Sequence, residues 1–566
     1  MEIQQEQLGD LPLLSHLIAS SGLVTCIDKH YPTHGNWRGP SMGNLVKCWL
    51  MGIISECDHR LYTVEDWASE HLHTLRWAVN DAELTAKAFQ DDRLGLVLER
   101  FSDEDTWISM VSEYNSGLIQ LYELPQDIVR VDSVNVPSFR ADEAGSLFQF
   151  GHRKSHQANL PHLKTMLVSL DPLALPLATF TVHGKRSDDQ LYIPAIERAQ
   201  KSLAPTGLIY VGDTKLCNLG NCGYLASTSN FYLGPLSEVQ YNKIDLAISI
   251  EKALSDAASI QILYKEDPKT GLNVAFAKAY ELPPRERFDP VSNCRWQERL
   301  VLIQDDVRAQ SQRISLNERL KEAQKEIFER FLPKKRRLIW RTTPQHQAEA
   351  QAFIDKVVTK FKVKDMLNIK LVVGKEQNSL TPLHIEVEVN KQNVLNAELI
   401  FGWRIYATNA PSNRLLTKDI LPRYREEYRI EQQFHKLLTK TTNLLPLYLK
   451  NENRIEALLR LLTLALQFVA IIQYEVREAL EEQEEVLTDL IPGNKNRKVY
   501  KPTAELMLNR FSTINAVWIQ LPNKNKQAVL LNFEPIHLKI LQLLHFPENL
   551  YHKMICAFNN VNELLE

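Results

Sequence analysis

The 566-residue sequence has few of the residues on which small, specialised folds depend. It contains only seven cysteines, and no two of them form a CxxC pair. Structural zinc sites and disulfide scaffolds use paired cysteines, so this content indicates free thiols in a reducing compartment. Its 20 glycines and 26 prolines follow no period, which excludes collagen-like and low-complexity chains.

Signals for a membrane or a secretory route are also scarce. The N-terminal residues MEIQQEQLGD lack a basic segment followed by an apolar one, so no signal peptide is predicted. The most apolar run, residues 461–474, is shorter than the ~20 residues that a membrane span requires. We therefore expect a cytoplasmic protein that has no membrane partner.

Strong charge of one sign is missing as well. The net charge of −3 argues against a protein that binds polyanions through bulk positive charge. Local basic patches can still bind nucleic acid, because charges act within a Debye length of ~8–10 Å. Two basic runs, at 334–341 and 495–501, are either phosphate contacts or solvated faces. The sequence has no glycine-rich phosphate loop and no nucleophile elbow, which argues against nucleotide and serine hydrolases.

Apolar spacing and composition divide the chain into five parts. Residues 1–120 predict a helical bundle, which either has no chemistry of its own or recognises a DNA end. Residues 121–238 predict the order strand, strand, strand, helix, strand, helix, strand, and the second and third strands form a hairpin. Residues 239–410 predict a mixed insertion, helical and charged first and β-rich at its end. Residues 411–450 predict a polar helix, and residues 451–566 a helical C-terminal region.

Three carboxylates stand out by their positions. Asp132 lies within a β-branched strand pattern, Asp213 ends another strand pattern, and Glu431 lies in the polar helix beside aromatic and basic residues. A carboxylate in a buried strand is costly unless it is paired or bound to a metal ion. Taken singly, each acid is explained by a cap or an ion pair. Taken with the strand order, the three predict a shared site for divalent cations.

The segments around these acids resemble a known family. They read VRVDS at Asp132, YVGDTK at Asp213 and YREEYRIE at Glu431. These are similar to the three acidic motifs of bacterial insertion-sequence transposases of the DDE class. The branch that the chain resembles has a β-rich insertion before the final glutamate. In this chain the interval before Glu431 is more than twice the interval between the two aspartates.

The resemblance implies a multidomain α/β protein with an RNase H-like mixed β-sheet core. A helical N-terminal domain, an inserted mixed domain that is β-rich at its end, and a helical C-terminal region surround that core. The resemblance also implies that Asp132, Asp213 and Glu431 are catalytic and hold two Mg²⁺ or Mn²⁺ ions. The residues expected to contact DNA are Tyr424, Arg429, Lys436, Lys154 and Lys215.

The implied activity is cleavage of the ends of an insertion sequence and their joining to target DNA. The implied partners are double-stranded DNA, as terminal inverted repeats and target, and a second copy of the chain in a homodimer. Such a protein would work at the bacterial nucleoid. Two alternatives stay open: an RNase H-like metal-dependent nuclease that does not join DNA, and an inactive, transposase-derived DNA-binding protein.

Two assignments have rivals within the sequence. Glu427 shares a helical face with Tyr424, Tyr428 and Glu431, because residues three and four apart lie on one side of a helix. It therefore competes with Glu431 as the third ligand. The helix predicted at 451–486 is either the pairing surface of the dimer or an ordinary core helix.

Overall fold

The computed structural model describes residues 2–140, 145–151, 160–266, 271–331, 343–373, 383–445, 447, 449–520 and 526–560. The chain divides into two compact units. The first unit comprises residues 1–232, 288–294 and 424–566, and the second comprises residues 233–287 and 295–423. The fold is mixed α/β with a large mixed sheet and many helices.

The N-terminal part of the first unit is helical, as the apolar spacing predicts. Trp49, Leu50 and Ile53 lie on the longest apolar stripe of this part and are fully buried. One strand, which the sequence does not predict, precedes the helices. The elements are β1 (Glu2–Gln7), α1 (Leu11–Ser20), α2 (Leu23–His30), α3 (Met42–Glu56), α4 (Leu61–Glu70), α5 (Leu72–Val79), α6 (Asp91–Phe101) and α7 (Glu104–Leu121).

The next part of the first unit follows the predicted order of strands and helices. The elements are β2 (Ile128–Pro137), β3 (His162–Leu170), β4 (Leu175–His183), α8 (Tyr192–Gln200), β5 (Ile209–Gly212), α9 (Leu219–Ser227) and β6 (Phe231–Pro235). The spatial order is β4-β3-β2-β5-β6. The predicted hairpin is present, since β3 pairs antiparallel with both β2 and β4, and β2 pairs parallel with β5.

The second unit begins within β6. Its elements are α10 (Lys243–Ser255), β7 (Gln261–Glu266), β8 (Asn273–Asp289), β9 (Cys294–Asp305), α11 (Asp306–Phe331), α12 (Pro344–Lys360), β10 (Leu367–Val373), β11 (Leu383–Val389), α13 (Lys391–Glu398), β12 (Trp403–Thr408) and α14 (Thr417–Arg425). The last two residues of α14 belong to the first unit. The β-rich end is present, with β10 antiparallel to β11.

The first half of the insertion differs from the prediction, because β7, β8 and β9 occupy a segment expected to be helical. Charged residues alternate along β8 and β9, and their composition alone is equally typical of a polar helix. Ion pairs between these strands neutralise the charges, as between Arg299 Nε and Glu281 Oε1 at 2.8 Å. Cross-strand pairs of this kind stabilise a sheet and leave no apolar signal in the sequence.

The C-terminal part of the first unit contains α15 (Tyr428–His435), α16 (Glu452–Glu482), α17 (Ala504–Phe511), β13 (Asn515–Gln520), β14 (Lys526–Leu531), α18 (Pro535–Leu543) and α19 (Leu550–Asn560). β13 pairs antiparallel with β14 on one side and with β1 on the other. This small sheet was not predicted, because its strands are short and the partner of β1 is distant in sequence.

The 31-residue helix α16 is long and apolar enough to cross a membrane by length and composition, and 94% of its most apolar window is buried inside the protein. The amide nitrogen of Gln467 on this helix is bonded inside the protein: it donates to Asn115 Oδ1 at 2.8 Å and to the Pro176 carbonyl at 2.6 Å. Such burial is typical of the core helix of a soluble protein. The core-packing alternative for this segment is therefore the one that the structure supports.

Candidate functional site

Asp132 lies on β2, and Asp213 directly follows the neighbouring strand β5. The parallel register of β2 and β5 pairs Val131 with Gly212, one residue before each aspartate. Neighbouring strands lie ~4.8 Å apart, and residues in register on them point to the same face of the sheet. Both aspartates are half-buried. The structure therefore brings together two of the three acids that the sequence singled out.

Gly212 makes the close packing beside Asp213 feasible. A Cβ atom at this position would meet the Leu216 side chain and the Val131 carbonyl oxygen at 3.0 Å. The chain then turns, with the Leu216 amide donating to the Asp213 carbonyl at 3.1 Å. Within the same turn, the amide of Lys215 donates to Asp213 Oδ1 at 2.8 Å. The turn thus orients the carboxylate as well as the backbone.

Tyr192 also contacts this carboxylate. Its hydroxyl donates to Asp213 Oδ1 at 2.6 Å, and its side chain is fully buried at the start of α8. Burial raises the pKa of the phenol well above its ordinary value, and the charges of Asp213 and Asp132 raise it further. Sequence reasoning missed Tyr192, because a tyrosine at an apolar position of a helix gives the same signal as a core residue.

Helix α15, which carries Glu431 and directly follows Glu427, packs on the sheet. Ile430 and Phe434 of α15 form a buried cluster with Leu167 of β3, and Val134 of β2 packs against it. Leu167 lies opposite Asp132 in the β2–β3 register, and Val134 lies two residues further along β2. Side chains with these relationships share one face of a sheet. Asp132 therefore points towards the side that α15 covers.

Glu427 and Glu431 occupy different environments. Glu427 is half-buried immediately before α15, and Glu431 is exposed one turn further along. Burial raises the pKa of Glu427, the charges of Glu431 and Asp213 raise it further, and a Tyr424 hydrogen bond and the Arg130 charge lower it. The charge of Asp213 thus reaches Glu427. The choice between the two glutamates as third ligand stays a prediction.

A buried ion-pair network anchors this region. Arg130 on β2 is 1% exposed, and its guanidinium lies 2.8 Å from Asp171 and 3.3 Å from Glu426. Glu426 also pairs with Arg429 at 2.9 Å, and Arg429 donates to the Pro172 carbonyl. The network therefore joins β2, the turn between β3 and β4, and the segment that leads into α15.

The residues predicted to contact DNA divide into two groups. Arg429 and Lys436 form ion pairs inside the protein, and Lys436 Nζ lies 3.3 Å from Glu505 with its side chain buried. Lys215 is exposed, with its ammonium group 3.5 Å from Asp189, and Tyr424 is half-buried beside Glu427. Lys154 and the basic run at 334–341 lie outside the described residues. The basic run at 495–501 is largely exposed.

A second group of metal-ligating side chains lies among the described residues of the helical N-terminal part. Cys26, His30 and Glu113 place their ligand atoms within 4.8 Å of one another. The Glu113 carboxylate lies 2.7 Å from Lys29 Nζ and 2.8 Å from His30 Nε2. Ordinary ion pairing therefore accounts for this group. All seven cysteines are free, as their spacing predicts.

Asp132 and Asp213 fit hard divalent cations by the chemistry of their donors. Mg²⁺ and Mn²⁺ prefer carboxylate oxygen and water, and neither thiol nor imidazole ligands are needed. A cation at this position would also offset the repulsion between two adjacent carboxylates and the nearby glutamates. The donor set is thus consistent with the predicted cofactor.

Comparison with known proteins gives a partial match. Residues 3–108 match the family described as Domain of unknown function (DUF4277). No curated protein matches the chain. Among solved structures, the chain is similar to a piggyBac transposase in a synaptic complex with hairpin DNA. The sequence identity is 8%, the TM-score is 0.35, and the match covers 90% of this chain and 82% of that chain.

Proposed function

We propose that this chain is a DDE-type DNA transposase with an RNase H-like core. One observation carries the proposal: Asp213 directly follows β5, the strand parallel to β2, and Asp132 on β2 lies on the face that helix α15 covers. The strand order β4-β3-β2-β5-β6 supports the core assignment, because an antiparallel meander continues into a parallel strand that ends in the second aspartate.

In this proposal Asp132, Asp213 and Glu431 hold two Mg²⁺ or Mn²⁺ ions, and Glu427 is the rival of Glu431. When bound, such ions activate the attacking hydroxyl and stabilise the departing oxygen in an in-line phosphoryl displacement. The aspartates supply fixed negative charge from rigid strand ends, and the hydrogen bonds to Asp213 Oδ1 limit its rotation. The nucleophile is water in the cleavage step and the DNA 3′-hydroxyl in the joining step.

The proposed substrate is double-stranded DNA, as the terminal inverted repeats and the target. Lys215 lies two residues from Asp213 and is exposed, so it is placed to contact a phosphate near the reacting bond. Tyr424 is a second candidate contact. In this proposal Arg429 and Lys436 stabilise the structure around the site and do not contact phosphate, because their charges are paired within the protein. The active assembly is proposed to be a homodimer that holds two ends.

The direct test is cleavage and strand transfer of labelled DNA that carries the flanks of the protein's own gene, with Mg²⁺ or Mn²⁺. We expect Asp132→Ala and Asp213→Ala to abolish both reactions and to leave DNA binding intact. Glu431→Ala and Glu427→Ala run in parallel identify the third ligand, since only one of them should abolish cleavage. Cleavage without joined products would identify a nuclease instead. Full activity of both aspartate variants would overturn the proposal.

A further inference from the structure

The phenol of Tyr192 and the backbone amide of Lys215 donate to the same carboxylate oxygen of Asp213. The Tyr192 hydroxyl lies 2.6 Å from Asp213 Oδ1, and the Lys215 amide lies 2.8 Å from the same atom. Two donors on one oxygen restrict the rotation of the carboxylate about its Cβ–Cγ bond. The directions in which its other oxygen, Oδ2, can present lone pairs are then limited before any cation arrives.

We propose that Tyr192 is a positioning residue that holds the Asp213 carboxylate in the orientation in which it binds a divalent cation. This inference rests on the proposed function, because it assigns to Asp213 the role of metal ligand. Partners that orient a metal ligand through a hydrogen bond typically change metal affinity or activity 10- to 100-fold when they are removed.

The surroundings of Tyr192 are built to keep the phenol in place. The ring is 1% exposed, so it has no room to leave the carboxylate. The turn that precedes α8 is held to β3 by Lys164, whose ammonium group donates to Asp188 Oδ1 and to the Arg186 carbonyl, both at 2.7 Å. Lys164 is itself buried. The donor and the acceptor therefore sit on two elements that are each fixed to the same sheet.

The phenol is suited to this role by its chemistry. A phenol has an ordinary pKa near ~10, so it is a hydrogen-bond donor throughout the neutral range. It adds no charge beside a site that a cation must enter, in contrast to a lysine or an arginine. A neutral donor thus orients Asp213 without competing electrostatically with the metal ion.

The test measures Mn²⁺ binding to the full-length protein by electron paramagnetic resonance of the free ion, in the absence of DNA. Tyr192→Phe removes only the hydroxyl group, and we expect the dissociation constant for Mn²⁺ to rise about 10- to 100-fold. Tyr224→Phe is the matched control, because its hydroxyl donates to Gln200 Oε1 at 3.1 Å and not to an aspartate. The control should bind Mn²⁺ as the wild type does.

A double-mutant cycle separates positioning from a general effect on the fold. Asp213→Asn should weaken Mn²⁺ binding, and adding Tyr192→Phe to it should cause no further loss, because the phenol acts through Asp213. A loss that persists in the Asp213→Asn background would overturn the positioning role, as would unchanged binding by Tyr192→Phe. If Asp213→Asn itself binds Mn²⁺ normally, the proposed function fails with it.

Discussion

The guanidinium of Arg130 lies 2.8 Å from the carboxylate of Asp171, and both side chains are buried. Arg130 precedes Asp132 by two residues on β2, and Asp171 begins the turn between β3 and β4. Through Glu426, the same guanidinium also reaches the segment that leads into α15. The buried Arg130 guanidinium therefore connects the three elements that surround the candidate site.

Removing the Arg130 guanidinium should destabilise the protein strongly. Arg130→Met leaves the Asp171 carboxylate buried without its partner, and breaking a buried pair in this way costs ~3–5 kcal/mol. We expect a lower urea midpoint and a lower thermal midpoint. Lys29→Ala, which breaks the exposed pair with Glu113, is the control and should change the midpoints little. Equal effects of the two variants would contradict this role for Arg130.

Asp10 should make stability depend on pH. It is buried before α1, and burial raises its pKa from 3.8 to about 7, although a Ser55 hydrogen bond opposes the shift. A carboxyl group with a raised pKa binds more protons in the folded state than in the unfolded state, so the free energy of unfolding falls as pH rises from about 4 to 7. Asp10→Asn should remove that part of the slope in urea titrations at several pH values. An unchanged slope would show that Asp10 does not contribute.

Lys215 and Lys436 should respond differently to salt. Each phosphate contact contributes about one unit to the slope of log K against log salt concentration. Lys215→Ala should therefore weaken DNA binding and reduce that slope by about 1, as measured by fluorescence anisotropy on end DNA. Lys436→Ala should lower the thermal midpoint through the loss of the Glu505 pair and leave the slope unchanged. The reverse pattern would identify Lys436 as the DNA contact.

Removal of divalent cations should separate binding from chemistry. With EDTA present, we expect no cleavage of end DNA, because the carboxylates alone provide no Lewis acid to polarise the phosphate. DNA binding should persist in EDTA, and the addition of Mn²⁺ or Mg²⁺ should restore full cleavage. Cleavage that continues at full rate after exhaustive chelation would exclude the proposed two-metal chemistry.

The sequence predicted those parts of the fold that have a local apolar signal. The hairpin at 162–182 and the strand that leads to Asp213 follow from alternating or continuous apolar residues, and the structure contains both. The strand patterns placed Asp132 and Asp213 in or after separate strands, and the family resemblance implied that they share a site. The strands β8 and β9 were missed, because charged residues that pair across strands give no apolar period.

Contacts between distant residues set the limit of prediction at the site. Arg429 and Lys436 were expected to bind phosphate, yet each has a carboxylate partner in the protein. The Lys436 partner, Glu505, belongs to another helix, and no local pattern indicates that pair. Tyr192 was missed for the same reason: its partner Asp213 lies beyond the end of its own helix. Helical spacing placed Glu427 and Glu431 on one face but carried no information about their burial.

The pairing of β1 with β13 has a consequence for the order in which the molecule is made. These strands are joined by contacts between residues about 510 positions apart, as in the Gln5–Asn515 pair. At a translation rate of roughly 5–20 residues per second, the ribosome needs about half a minute to two minutes to deliver the partner of β1. β1 is thus synthesised long before its partner, and a chain that stops before β13 has an open strand edge at β1.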